Sequence, residues 1–284
     1  TRKEARRKAE KPIEAEGGDT PSPGWEALRD EAHEEPPALV LTVRNAAGEV
    51  VRRLESPGKA GFQRIAWDLR YATHEPWSEQ PEVDRWRPPQ GVMAAPGTYT
   101  VSLAKRIDGA LVDLEQEQSF EVVPWRDPAI PGAPADETVA FLKRLGDLDR
   151  EVQSAGRTID ETATRLRAIR ETLPRSTVED TALDDRVRAL EDRLAGLKLV
   201  LSGDPRRALM SQGGPVPIRR RLDVAKIGNR YSLYGPTPTH VRSFEIASER
   251  FAALERDLAT LVETDLADLE RDVEAAGLPW RQGR

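Results

Sequence analysis

The 284-residue chain has no cysteine. Disulfide staples and thiolate-bound zinc are therefore excluded. Absence of cysteine is compatible with any compartment, so location does not follow from it. Aromatic residues are scarce at 5%, and there are only three histidines. His33, His74 and His240 are too far apart in sequence to suggest a metal site, and no cofactor is expected. No apolar run approaches the roughly 20 residues that a membrane-spanning helix needs. The motifs Gly-x-Ser-x-Gly, His-Glu-x-x-His and Gly-x-Gly-x-x-Gly are missing, as is a phosphate loop. Acids such as Asp184 and Asp185 are neighbours in sequence, and adjacent residues on a helix do not face one another. Glycoside hydrolysis needs two carboxyls flanking one cleft, and no such pair is visible. A net charge of −6 argues against broad nucleic-acid binding, which needs a basic surface.

What the chain does contain is charge and helical periodicity. Charged residues are 32% and apolar residues 38%, a balance that suits long exposed helices better than one thick core. Leu145, Val152, Ile159, Leu166 and Leu173 stand seven apart, with Leu148, Ala155 and Ile169 three residues on from three of them. That pattern predicts one helix from about Asp136 to Leu173, about 57 Å long, with Asp136 as N-cap and Pro174 as its stop. Ser176-Thr177-Val178-Glu179 has capping-box spacing for a second helix, whose seam is Leu183, Val187, Leu190, Leu194, Leu197 and Leu201. A third helix is expected from Thr239 to Ala276, with a stripe from Phe244 to Val273 and Gly277 as C-cap. The short link between the first two helices requires an antiparallel hairpin. The stretch 203–238 reads as irregular. Arg219-Arg220-Arg221 within it is expected to pair with acids of the third helix (Asp265, Asp268, Glu270, Asp272), and Tyr231 and Tyr234 to pack on the bundle.

The first half reads differently. Residues 1–37 have the composition of a charged Pro/Gly linker that cannot bury enough apolar area to offset chain entropy. Trp25 is its one residue expected to dock on something. From Ala38 the pattern has period two, with strands predicted at Leu39–Val43, Glu49–Leu54, Phe62–Leu69, Tyr99–Leu103 and again up to Val122, joined by turns at Asn45-Ala46-Ala47-Gly48 and Asp108-Gly109. Residues 38–123 are thus expected to form an immunoglobulin-like β-sandwich, 124–135 a Pro-rich hinge, and 136–284 the long-helix bundle. The predicted class is a multidomain α+β protein with an antiparallel, coiled-coil-like three-helix bundle.

Three motifs in order resemble the immunoglobulin-like domain of flagellar hook-capping proteins. They are the hairpin Val43 to Leu54, the strand Gly61-Phe62-Gln63-Arg64-Ile65-Ala66-Trp67-Asp68, and Ala95-Pro96-Gly97-Thr98-Tyr99-Thr100-Val101. By that resemblance Trp67 fills the sandwich centre, Asp68 accepts hydrogen bonds from a turn, and Gly97 permits a sharp entry into its strand. The helical half, from Pro236-Thr237-Pro238-Thr239 to Ala275-Ala276-Gly277-Leu278-Pro279-Trp280, resembles the extreme C-terminus of bacterial sortilin-like, BNR-repeat β-propeller proteins, often labelled glycosyl hydrolases. Pro21-Ser22-Pro23-Gly24-Trp25 matches their linker pattern. The resemblance implies a secreted or periplasmic protein, of which this chain, starting at Thr1, is one piece. The Asp-box repeats of the propeller (Ser-x-Asp-x-Gly-x-x-Trp) are absent, so a hydrolase label would rest on residues this chain lacks.

Between the predicted strands lies a long insertion, Tyr71 to Gly91, with His74, Trp77 and Trp86. Tryptophans in such a loop either stack on sugar rings or pack on protein, and packing is the expectation because aromatics are favoured at interfaces. The functional expectation is a non-catalytic structural or interaction region that braces or caps an upstream propeller, or presents a surface to another protein. Trp25, Trp77, Trp86 and Trp280 are the interface candidates. The alternative is an accessory carbohydrate-binding module with a glycan partner.

Overall fold

A computed structural model describes residues 1–76, 90–126, 131–175, 181–230 and 234–278. The chain is α+β and divides into two compact units: Thr1–Thr73 with Gln90–Asp127, and His74–Pro89 with Pro128–Arg284. The first carries the sheet, the second the long helices.

The sheet unit opens with helices, where linker composition had suggested irregular chain. Helix α1 spans Arg2–Ala15 and α2 spans Gly24–His33. Neither has a buried residue, which follows from their charged composition. Polar contacts hold them instead. Thr1 and Glu4 form a capping box, and Arg6 reaches Glu31 of α2 through two hydrogen bonds of 2.6 and 2.8 Å.

Strands β1 (Ala38–Asn45), β2 (Val50–Pro57), β3 (Gly97–Ile107) and β4 (Ala110–Val122) form one antiparallel sheet in the order β2-β1-β3-β4. The β1–β2 turn is fixed by the Asn45 side chain, whose Oδ1 accepts from Ala47 N and Glu49 N. Gly48 takes a φ of 79° there, which only glycine adopts without steric cost. Asp108 and Gly109 both have positive φ in the β3–β4 turn, the two-residue hairpin that matches strand twist.

Phe62 to Leu69 does not join the ladder. Within it Gln63, Ile65 and Trp67 are half-buried while their neighbours are exposed, and Leu69 ends it with a φ of 58°. Period-two burial survives without strand hydrogen bonds. Phe62 itself is 93% exposed. Trp67 lies over Tyr99 and Phe120, with ring centroids 5.4 and 6.1 Å apart, and with Val43, Val51 and Ala94 these rings make the small core. Asp68 caps its own turn by accepting from Arg70 N at 3.1 Å.

In the helical unit, α3 spans Ala135–Thr172 and closes in a 3-10 turn at Leu173–Arg175. Its heptad residues Leu145, Val152, Ile159 and Leu166 are buried, and Leu173 is half-buried. Pro134, not Asp136, holds the N-cap position. Asp136 and Glu137 fall in the first turn, where their charge faces the positive end of the helix dipole. The capping box at 176–179 lies outside the described residues. Helix α4 is Thr181–Ser202, with every seam residue buried except the half-buried Leu197.

The irregular stretch was misread. It contains α5 (Pro205–Leu209) and α6 (Ile218–Arg230), whose Ile218, Leu222 and Ala225 are fully buried. Length explains why the fold needs α6. The 38 residues of α3 reach about 57 Å, whereas the 22 residues of α4 reach about 33 Å. Helix α4 runs antiparallel to α3 from Arg170–Glu191 to Asp160–Lys198. There α6 takes over, with Arg219 against Gly156 and Lys226 on Asp149. The 13 residues of α6 add about 20 Å and complete the cover of α3.

The last helical lane begins at α7 (Pro238–Ala259), capped by Thr237 in a reciprocal box with His240. A π segment at Thr260–Leu266 links it to α8 (Ala267–Ala275). Its cause is in the apolar spacing. Leu254, Leu258 and Leu261 follow a four-three rhythm, but the next apolar core residue, Leu266, is five on. In an unbroken α-helix Leu266 would point about 120° away from Leu254. The π segment absorbs one extra residue, and Leu266, Leu269 and Val273 return to the core at 0% exposure.

Candidate functional site

The most unusual chemistry in the helical unit is one acid on the buried side of α3. Asp149 follows Leu145 by four residues and precedes Val152 by three, so helical geometry places it among the core leucines. It is only 6% exposed. Its Oδ2 accepts from Lys226 Nζ at 2.8 Å, from Gln153 Nε2 at 2.9 Å, and lies 3.2 Å from His74 Nε2. Burial alone would raise its pKa, but hydrogen bonds from His74 and Lys226, the Lys226 charge and Gln153 together hold it down at about 2.

The backbone of α3 is shaped for His74. A side chain at Gly146 would place its Cβ 3.0 Å from the His74 ring Cγ, so the imidazole rests on bare helix. His74, which the sequence offered only as a loop histidine, is thus seated on a glycine notch and tied to a carboxylate one turn further on. Asp149 itself was missed. The available signal was an acid inside an otherwise apolar stripe.

Chemically this cluster is a clasp. A carboxylate held at about 2 with several donors on one oxygen is a poor general base at neutral pH. Among the described residues, no hydroxyl or thiol hydrogen-bonds to it to serve as a nucleophile. Among the described residues, no three His, Cys, Asp or Glu side chains are grouped to hold a metal ion.

The arginine run behaves differently from expectation. The acids of the last helical lane are taken by other partners: Glu270 by Arg165, Asp265 by Arg193, Asp272 by Arg186 and Asp268 by Arg271. Arg219 and Arg220 begin α6 as exposed residues. Tyr234 is 47% exposed, and its carbonyl accepts from Ala133 N. Tyr231 lies outside the described residues.

Of the four tryptophans nominated as interface residues, Trp77, Trp86 and Trp280 lie outside the described residues. Trp25 starts α2 and is 85% exposed. The sheet unit adds two rings that sequence reasoning did not nominate, Phe62 at 93% and Trp125 at 98% exposure. Phe62 had been assigned to a strand and Trp125 to the hinge. No described helix is long and apolar enough to cross a membrane. No protein-family model, curated protein or solved structure matches the chain.

Proposed function

We propose that this chain is a non-catalytic interaction region, one that braces or caps a β-propeller preceding it in a secreted or periplasmic protein. One observation carries the reading: the sheet unit leaves Trp25, Phe62 and Trp125 almost wholly in water. An aromatic side chain removes about 150–250 Å² from water when covered, about 4–6 kcal/mol at ~25 cal/mol per Å². Rings of this kind are the usual anchors of protein interfaces. The saturated Asp149 cluster supports the same reading, since the buried acid is occupied in holding structure. An immunoglobulin-like assignment of the sheet unit belongs to this proposal. Its support is the antiparallel order β2-β1-β3-β4 and the packing of Trp67 on Tyr99.

The test is titration calorimetry of this chain against the separately expressed region encoded upstream of Thr1. Binding that weakens at least tenfold in Trp25→Ala or Trp125→Ala supports the proposal. Absence of binding, or binding indifferent to both substitutions, refutes it. Glycan-array signals lost on Trp77→Ala and Trp86→Ala would instead favour an accessory carbohydrate-binding module.

A further inference from the structure

Between α4 and α6 the chain leaves the bundle in a loop whose ends meet. Gly203 follows α4 with a φ of 82°, and a Cβ there would stand 3.2 Å from the Pro217 ring. Arg250 of α7 donates to the Val216 carbonyl and ties down the returning limb. A surface loop of this length with joined ends is an Ω-loop, a class that frequently carries function. Its tip has a defined turn. Met210 N donates to Arg206 O at 3.1 Å, and Gln212 N to Arg207 O at 2.9 Å.

Two features coincide on this loop. The first is apolar exposure. Leu209 is 87% and Met210 69% exposed, every residue from 209 to 216 lies at the surface, and neither side chain belongs to the core of the unit. Leucine and methionine are among the residue types most often buried, so two adjacent ones in water call for a use. The second is charge. Residues 205–221 hold five arginines and no acid, in a chain of net charge −6. Asp204 lies 3.9 Å from Arg207 at the base of the loop. Arg206 and Arg220 are exposed, and among the described residues no carboxylate pairs with either. Arginines on α3 and α4 behave otherwise: Arg165, Arg186 and Arg193 each hold a carboxylate of the last helical lane.

The combination selects the kind of partner. Protein interfaces are anchored by Trp, Tyr and Arg, and leucine is under-represented among their hot spots. A nucleic acid would use the arginines but gain nothing from Leu209 and Met210. An anionic lipid surface uses both. Aliphatic side chains enter the boundary between headgroups and acyl chains, and guanidinium groups match phosphate oxygens. Each basic residue close to such a surface strengthens binding about fivefold. We propose that the 203–217 loop docks this protein on an anionic membrane surface, with Leu209 and Met210 inserted below the headgroups and Arg206, Arg207 and Arg220 on lipid phosphates. The attachment is peripheral. It is independent of the sheet-unit aromatics that carry the functional reading, so either can fail without the other.

The test is co-sedimentation of the full chain with sucrose-loaded vesicles, of phosphatidylcholine alone or mixed with phosphatidylglycerol in equal parts. Binding should be at least tenfold tighter to the mixed vesicles. It should fall tenfold or more in Arg206→Glu/Arg207→Glu, and again in Leu209→Ser/Met210→Ser. All four positions are exposed, and unchanged thermal melts confirm that the variants fold. Because the chain has no cysteine, Leu209→Cys accepts a single environment-sensitive dye, whose emission should shift to the blue on the mixed vesicles. No binding to the mixed vesicles, or binding indifferent to either pair of substitutions, would overturn the proposal. Equal binding to duplex DNA that ignores Leu209→Ser/Met210→Ser would also overturn it, in favour of a loop that reads charge alone.

Discussion

The two units differ most in how much apolar core each one builds. Among the described residues, the helical core cluster contains twenty-five buried residues and the sheet core cluster four. The helical unit builds a continuous core between α3, α4, α6, α7 and α8, while Leu209 and Met210 stay exposed. The sheet unit keeps a thin aromatic layer around Trp67, Tyr99 and Phe120 and leaves Phe62 and Trp125 in water. The contrast separates a part with a thick aliphatic core from a part with a thin aromatic one.

The sharpest challenge to that contrast is a pair of truncations. Leu166→Ala, at a site with 0% exposure, should cost about 2–5 kcal/mol, read as a lower midpoint of the 222 nm helical signal in urea. Val43→Ala in the sheet core should cost only about 1–2 kcal/mol, read by hydrogen exchange of the strand amides. Equal costs would remove the asymmetry.

Asp149 comes next in size. Its pKa is lowered from an ordinary 3.8 to about 2, so the ionised form stabilises the fold by about 2 kcal/mol at neutral pH. That contribution is present above the unfolded value and disappears as pH falls from about 4 toward 2. Asp149→Asn should lower stability at pH 7 and flatten this acid limb in urea titrations at each pH. A retained limb would place the acid sensitivity elsewhere.

Two glycines on the helices give a smaller, signed comparison. Gly196→Ala, with open space around it, should stabilise α4 by about 0.5–1 kcal/mol. Gly146→Ala should bring no such gain while His74 occupies the notch, and should recover it in a His74→Ala background. Additive effects in this double-mutant cycle would mean the imidazole does not press on α3. The smallest stability effect belongs to Trp125→Ala, expected within about 0.5 kcal/mol because the ring is 98% exposed. A larger loss would show that the ring has a structural partner.

Much of the helical architecture was legible. Leucine spacing located α3 and α4 because a stripe at that period has only one way to avoid water. The stripe of the last helical lane held the notice of the π segment, in the five-residue step from Leu261 to Leu266. Helix α6 was hidden behind Arg219-Arg220-Arg221 and a run of glycine and proline before it. Its apolar residues are only Ile218, Leu222 and Ala225 on the buried side, too few to stand out by periodicity. The strand at Phe62–Leu69 was misread because alternation reports alternate burial, and burial needs a neighbour but not a ladder of hydrogen bonds.

The sequence alone determined the span of α3 to within a residue at each end, and the turns at Gly48 and Asp108-Gly109, because each depends on residues within a few positions of one another. Only the tertiary structure decided that Asp149 meets His74 and Lys226, that α6 finishes the lane α4 leaves short, and that Arg170 meets Glu191. Those outcomes depend on distances between groups 20 to 80 positions apart in the chain, and a one-dimensional pattern carries no record of them.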